Sequence, residues 1–146
     1  MRLFLLLKLA YATSLLASCV YVGRHGGAAE RAGIAVITIG SLLTIPASTM
    51  FGFRWDAARL NLLALDVLVL GAFLLIALRS GRFWPLWATG FQLIAVATHL
   101  AMLIEPRRVL QAYAIAQGFW AYPMLAAIVL ATTRLRQARR TRTTPS

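Results

Sequence analysis

Cysteine and acidic residues are both scarce in this sequence. It contains one cysteine, Cys19, so neither an intramolecular disulfide nor a multi-cysteine metal site can form. Only 13% of the 146 residues are charged. A soluble domain has about a quarter of its residues charged. The composition therefore argues against a soluble globular domain.

Apolar residues, in contrast, are abundant and arranged in long runs. Hydrophobic residues make up 60% of the chain, and five runs approach or exceed the roughly 20 residues that a helix needs to cross a bilayer. These runs cover residues 3–22, 32–51, 60–78, 83–104 and 109–133. The short connections between them make neighbouring helices antiparallel. The sequence thus predicts an all-α fold, a polytopic membrane bundle of five transmembrane helices with short loops over residues 1–133, followed by a basic C-terminal tail over residues 134–146.

The positive charge lies at the ends of the apolar runs. The formal net charge is +11, but loop charges of this kind are typical of membrane proteins, so nucleic acid is not predicted as a partner. The two sides of the bundle carry unequal numbers of basic residues, six on the N-terminal side and nine on the other. By the positive-inside rule this predicts a multi-pass protein of the bacterial inner membrane with its N-terminus outside and its C-terminus inside. Anionic lipid headgroups are the predicted partners of the tail arginines, which are Arg134, Arg136, Arg139, Arg140 and Arg142.

The first run has two interpretations. The stretch "LASC", residues 16–19, fits a bacterial lipoprotein cleavage box in which Cys19 would be lipidated. A signal peptide needs an unbroken apolar middle, however, and Lys8 interrupts it. A retained first helix is therefore favoured over cleavage.

Small and aromatic residues predict how the helices pack. Trp84 and Trp87, at the start of the fourth run, suit the cytoplasmic membrane interface, with Pro85 in the first helical turn. Trp120 and Pro123 fall near the middle of the fifth run, where aromatic packing around a proline kink is expected. Small residues recur every four positions on the first two helices, which favours close helix packing. They are Ala10, Ser14 and Ser18, then Gly40, Thr44 and Ser48.

Polar residues inside the apolar runs are the candidates for a functional site. An ionisable group at the centre of a membrane helix costs about 2.5–3.5 kcal/mol, so such groups need a reason to be there. Counting about 1.5 Å per residue puts five polar side chains from four helices in one layer within roughly 8 Å of the midplane. This intramembrane polar cluster consists of Lys8, Asp66, Gln92, His99 and Gln117.

Asp66 is the predicted centre of this cluster. Folding the third and fourth helices about the "RSGR" turn puts Asp66 opposite a helix face that carries both Gln92 and His99, because residues seven apart share a face. The cluster could be a structural clamp between helices or a functional polar site. If Lys8 turns inward it can pair with Asp66 and favour the clamp, whereas a Lys8 that reaches to the surface leaves a proton-linked role for Asp66 and His99.

No catalytic residues, cofactor or metal site are predicted. His25 lies in the first loop, on the opposite side from His99, so the two cannot share a haem, and there is no glycine-rich phosphate loop. Asp66, His99 and a serine from the second helix could imitate a catalytic triad, but nothing in their spacing specifies one. The sequence leaves enzymatic activity open and leans against it.

Two stretches carry a resemblance to known proteins. "LRSGRFWPLWATGFQLIAVATHLAML" and "AYAIAQGFWAYPML" resemble small uncharacterised multi-pass inner-membrane proteins of bacteria. The resemblance covers the last third to half of the chain and implies a family with no assigned activity, so it transfers no residue roles. The first helix lacks the glutamate of the small multidrug resistance family and carries Lys8 instead, which argues against cation export of that type.

Two hypotheses about function follow. The first is a structural or accessory membrane subunit that acts through helix–helix assembly, either as a homo-oligomer or with a larger membrane partner. The second is a small proton-coupled transporter or ligand sensor that uses the intramembrane Asp66, His99 and Gln92. Small-residue stripes and minimal loops favour the first hypothesis.

Overall fold

A computed structural model describes residues 2–49, 55–104 and 119–143 of the chain. Over these residues it contains five helices and no strand, so the predicted all-α class is confirmed. The helices are α1 (Arg2–His25), α2 (Ala28–Thr49), α3 (Trp55–Ser80), α4 (Trp84–Ile104) and α5 (Ala121–Thr143).

Two glycine-containing turns join the first four helices in pairs. Between α1 and α2 only Gly26 and Gly27 are non-helical, and the carbonyl of Gly27 accepts the first hydrogen bond of α2, from the amide of Arg31 at 3.0 Å. After α3 the chain turns at Gly81, whose φ of +58° is a left-handed conformation that glycine adopts without a steric penalty. Such short turns force α1 against α2 and α3 against α4.

The fifth helix packs back across the bundle. The most extensive contacts join α3 to α4 and α2 to α3, and α5 then contacts α4, α1 and α2. The rings of Tyr11 and Tyr122 lie 5.7 Å apart near the start of α5, and Tyr21 lies beside Thr133 further along. Because both residue numbers rise together, α1 and α5 run in the same direction.

The buried core takes residues from all five helices. Val22, Phe73, Ala88 and Ile128 are among its most deeply buried members, each 0% exposed. Trp84, at the start of α4, lies edge-on to Phe73 with ring centroids 6.5 Å apart. The core therefore gathers near the end of the bundle that carries the α1–α2 and α3–α4 turns.

Large apolar side chains cover the outside of the bundle. Leu68 is 71% exposed, Leu78 is 76% exposed and Ile104 is 82% exposed. Among the described residues, two helical stretches are long and apolar enough to cross a membrane, Leu60–Ser80 and Trp84–Ile104. The predicted set of five membrane-spanning helices is thus supported for α3 and α4 and is not confirmed for the others.

The fifth predicted run is not helical throughout. Phe119 and Trp120 form a turn and α5 begins at Ala121, while residues 109–118 of the expected helix over 109–133 lie outside the described residues. Pro123 is the third residue of α5 rather than a mid-helix kink. Proline has no N–H to donate, and the first N–H groups of a helix need no intrahelical partner, so the helix starts just before it.

The basic tail is also organised differently from the prediction. The helix does not end at Thr133 but continues through the arginine-rich segment to Thr143. Arginine has a high helix propensity, and the segment contains no glycine or proline before Pro145, so nothing in it stops α5.

Candidate functional site

Asp66 receives side-chain contacts from both of the α4 residues expected to face it. The Nε2–H of Gln92 donates to Oδ1 of Asp66 at 3.0 Å, and also to its backbone carbonyl at 3.2 Å. Nε2 of His99 lies 2.8 Å from Oδ2. Each carboxyl oxygen of Asp66 therefore has its own partner. Gln92 and His99 are seven residues apart on α4, so one lies about one helical turn to each side of Asp66. We call Asp66, Gln92 and His99 the α3–α4 polar cluster.

The helical spacing of α4 explains why these side chains converge. Its buried residues follow intervals of three and four along one face, which also includes Gln92 at 3% and His99 at 9% exposure. A face of this kind is turned towards the neighbouring helix over its whole length. The Asp66 side chain remains 24% exposed and the His99 side chain 10% exposed, so the cluster lies at the edge of the α3–α4 interface.

Two predicted members of the polar layer cannot be placed. The Lys8 side chain and the whole of Gln117 lie outside the described residues. The structure thus brings together three of the five predicted residues, and the pairing of Lys8 with Asp66 stays a prediction. Ser41 on α2 is engaged elsewhere, since its hydroxyl lies 2.7 Å from that of Tyr11.

The α3–α4 polar cluster can act chemically in two ways. As a clamp, it supplies hydrogen-bond partners, an amide and an imidazole, to a carboxyl group that lies between two apolar helices. As a proton site, the short contact between Asp66 and His99 joins two groups that can each bind a proton. The same geometry serves both roles.

A second carboxyl group in the bundle, that of Glu30, is buried and was not among the predicted site residues. Its side chain is 0% exposed. Oε2 accepts a hydrogen bond from the backbone N–H of Gly27 at 3.0 Å, and Oε1 accepts one from the indole N–H of Trp84, also at 3.0 Å. An Arg82 guanidinium nitrogen lies 3.9 Å from Oε1, and its side chain is 42% exposed. Glu30 thus ties the first turn of α2 to the start of α4.

Trp84 reaches Glu30 by lying across a glycine. A Cβ placed on Gly33 would come within 2.3 Å of the indole ring, so no other residue fits there without displacing Trp84. Trp84 itself is only 7% exposed. Trp84 therefore faces the interior of the bundle, where its N–H donates to a buried carboxyl group, and its predicted depth at the membrane interface stays a prediction. Trp87 is 56% exposed, and its interfacial position stays a prediction.

A local signal could have indicated the Glu30 site. Glutamate three residues after a helix N-cap commonly reaches back to the N-cap amide, and Glu30 stands three residues after Gly27. The contact with Trp84 spans 54 residues of sequence. No spacing rule relates positions that far apart, so only the fold could show it.

The predicted small-residue stripes are divided between interior and surface. Ser18 is buried at 8% exposure, whereas Ala10, Ser14 and Thr44 are exposed. The Ser14 hydroxyl donates to the carbonyl of Ala10 in its own helix, at 2.7 Å. Gly40 does meet a neighbouring helix, because a Cβ there would lie 3.1 Å from Val69. The side chain of Ser48 is outside the described residues.

The aromatic residues at the start of α5 pack, as expected, against other rings. Trp120 stacks on Phe91 with centroids 6.5 Å apart and an interplanar angle of 25°. Its indole nitrogen is buried and has no hydrogen-bond partner within the described part of the chain. Pro85, as predicted, lies in the first turn of α4.

The arginines of the predicted tail lie on the last turns of α5. Arg134, Arg139 and Arg140 are exposed and Arg136 is half-buried, while the Arg142 side chain is outside the described residues. They share one end of the bundle with Arg82 and Glu30, since Leu135 lies within 3.4 Å of the Cβ position of Gly27. Positive charge therefore concentrates at the end that carries the two turns.

The fold and these two polar sites define an all-α protein with two helices able to cross a membrane. In comparisons with known proteins, no protein-family model matches the chain, and no similarity to a curated protein or a solved structure is found. The family suggested by sequence resemblance therefore stays an expectation, and function must be argued from the residues themselves.

Proposed function

We propose that this chain is a five-span protein of the bacterial inner membrane, with its N-terminus outside and its C-terminus inside. We further propose that it acts as a structural or accessory subunit through helix–helix assembly, with copies of itself or with a larger membrane partner. The two membrane-length helices, the apolar outer surface and the unequal distribution of arginines support the membrane placement.

One observation on α3 carries the assembly proposal. The exposed side chains of α3 recur at intervals of three and four, so they form one apolar face that includes Leu60, Leu68 and Leu78. Gly71 lies in the middle of this face, and a Cβ placed there would have nothing within 4 Å. A glycine notch among leucines lets a second helix approach closely, which is how helices associate in lipid, where apolar burial provides no driving force.

The neighbouring helix α4 repeats the pattern. Gly90 is exposed with nothing within 4 Å of its Cβ position, and Ala97, seven residues later, is exposed too. On α3, Ala64 and Gly71 have the same seven-residue spacing and are both exposed. Since seven residues are nearly two helical turns, each helix presents two small residues on one outward face.

Cysteine cross-linking in native membranes tests the assembly. In a C19A background, we expect G71C to form an oxidant-dependent cross-linked dimer, or an adduct of higher mass if a larger partner covers the face. The matched control is L16C on α1, whose parent residue is similarly exposed at 68%. Equal cross-linking of both variants, or none with G71C, would contradict assembly through this face.

The α3–α4 polar cluster favours a second candidate function, a small proton-coupled transporter or ligand sensor. Its support is the 2.8 Å contact between the Asp66 carboxyl group and the His99 imidazole at the α3–α4 interface. Asp66 is not among the residues that line the surface pocket on α1 or the pocket between α1 and α5.

Infrared difference spectroscopy of the protein in lipid tests this alternative. Proton exchange at Asp66 predicts a carboxyl band that changes with pH, disappears in D66N and is altered in H99Q. If D66N leaves every pH-dependent carboxyl band in place, Asp66 is a clamp and the proton-coupled function is excluded.

A further inference from the structure

We propose that α1 and α5 form a binding site for a single anionic phospholipid at the arginine-rich end of the bundle. The site combines a polar pocket for the phosphate with an apolar groove for an acyl chain. This inference rests on the membrane placement proposed above, but not on the assembly of subunits. It also goes beyond a general attraction of the basic helix to anionic membranes, because it assigns particular residues to one ligand.

The phosphate pocket lies between the last turns of α5 and the end of α1. Its volume is about 160 Å³, and it is lined by Tyr21, Thr133, Arg136, Gln137 and Arg140. The four α5 residues are spaced at intervals of three, one and three, so they lie on one face of the helix. Each of the five side chains can donate a hydrogen bond, and none is acidic.

This set of donors suits a phosphate group. Two guanidinium groups provide charge and paired N–H donors, which match the oxygens of a phosphate. The volume of about 160 Å³ exceeds the roughly 30 Å³ that one water molecule occupies, so a phosphodiester and part of its glycerol can enter. Glu30, a buried acid at this end, accepts hydrogen bonds from Gly27 and Trp84 and is not among the residues that line the pocket.

An apolar groove begins where the phosphate pocket ends. All of the residues that line it belong to α1, so it is a shallow strip open to the outside of the bundle, and Leu16, Ala17 and Val20 line its middle. Tyr21 lines both the groove and the phosphate pocket. Arg24 and His25 lie at the same end of the groove as Tyr21. The groove is therefore apolar in its middle, with Thr13 at one end and the polar pocket at the other.

The length and chemistry of the groove fit an acyl chain. From Thr13 to Arg24 the helix rises about 16 Å at roughly 1.5 Å per residue, about half the thickness of a bilayer core. The Thr13 hydroxyl donates to carbonyls of its own helix at 3.0 Å, so it needs no partner from a ligand. A ligand that joins a phosphate to a long apolar chain fills both spaces, and the ligand of that kind in a membrane is a phospholipid.

Tyr21 is held in place at the junction. Its ring lies 5.1 Å from that of His25, and its backbone carbonyl lies 3.2 Å from Nδ1 of the same histidine. The phenol can donate to a phosphate oxygen while the ring covers the first carbons of the chain. An aromatic side chain with one polar end is common at this depth of a membrane.

Native mass spectrometry of the purified full chain in detergent tests the site with three probes. They are dioleoyl phosphatidylglycerol, dioleoyl phosphatidylcholine and glycerol 3-phosphate. We expect retention of phosphatidylglycerol at least about tenfold above phosphatidylcholine, because only the first carries net charge for the two arginines to bind. Equal retention of the two lipids, or binding of glycerol 3-phosphate as strong as that of phosphatidylglycerol, would overturn the proposal of an anionic lipid.

Matched variants separate this pocket from general attraction. We expect R136Q/R140Q to lower phosphatidylglycerol retention by about tenfold or more, and R31Q/R134Q, which removes two exposed arginines outside the pocket, to lower it by less than about threefold. Similar losses in both variants would show that only net charge is recognised.

A17W tests the groove, because it fills the exposed strip without removing charge. We expect it to reduce lipid retention while thermal unfolding stays unchanged. Full retention in A17W would exclude the groove.

Failure of the site and failure of the proposed function can be told apart. Membrane fractionation and the G71C cross-link report on membrane placement and assembly, and neither depends on Arg136 or Arg140. A chain that fractionates with membranes but shows no difference between the two arginine variants contradicts the lipid site alone.

Discussion

The indole N–H of Trp84 donates to the buried carboxyl group of Glu30 at 3.0 Å, across 54 residues of sequence. This contact joins the α1–α2 turn to the α3–α4 turn at one end of the bundle. Glu30 is 0% exposed and would be costly to bury without partners. The hydrogen bond therefore holds two helix pairs in register.

We expect Trp84→Phe to lower the free energy of unfolding by about 1–3 kcal/mol, since a hydrogen bond to a buried charged group is lost. Thermal unfolding of the detergent-solubilised protein, followed by circular dichroism, measures this change. Trp87→Phe is the control because Trp87 is 56% exposed, and it should change the stability little. Equal effects of the two substitutions would show that the contact with Glu30 does not stabilise the fold.

Gly33→Ala should also destabilise the protein, by about 1–3 kcal/mol, because the new methyl group overlaps the Trp84 indole. Gly23→Ala is the matched control, since a Cβ on this α1 residue meets nothing within 4 Å and alanine favours a helix by about 1 kcal/mol. In a Trp84→Leu background the penalty of Gly33→Ala should shrink. A penalty that is unchanged in that background would mean that the indole is not the obstacle.

A double-mutant cycle measures the strength of the α3–α4 polar cluster. For Asp66→Leu combined with Gln92→Leu we expect a coupling energy of about 0.6–1.7 kcal/mol, the range of hydrogen bonds within membrane proteins. Thr98→Val replaces Gln92→Leu in the control cycle, because the Thr98 hydroxyl bonds to its own helix at 2.8 Å. Coupling no larger than in the control cycle would contradict a stabilising contact between Asp66 and Gln92.

The topology can be tested with reporters fused to the C-terminus. We expect a reporter that works only in the cytoplasm to be active and one that works only in the periplasm to be silent, because nine basic residues lie on the C-terminal side and six on the other. Replacing Arg134, Arg136 and Arg139 with glutamine reduces nine to six and should produce a mixed orientation. Activity of the periplasmic reporter alone, with all arginines present, would reverse the orientation.

The sequence by itself determined the features that depend on neighbours along the chain. Apolar run length predicts an all-α chain with five membrane-spanning helices, of which the structure supports two, α3 and α4, as long and apolar enough to cross a membrane. The short "RSGR" turn fixes how α3 and α4 face each other, so the contact of Asp66 with Gln92 and His99 follows from spacing alone. Pro85 is likewise placed by a local rule, since proline is tolerated in a first turn.

Only the tertiary structure decided what depends on packing between distant segments. A tryptophan at a helix start suits a membrane interface equally well in any sequence, but the Gly33 notch and the buried Glu30 draw Trp84 inward. The fifth apolar run is continuous in hydropathy, and yet Phe119 and Trp120 form a turn and α5 begins at Ala121, two residues before Pro123. The pocket between α1 and α5 forms because these two helices run side by side in the same direction. No pattern along the chain specifies which of the helices will be neighbours.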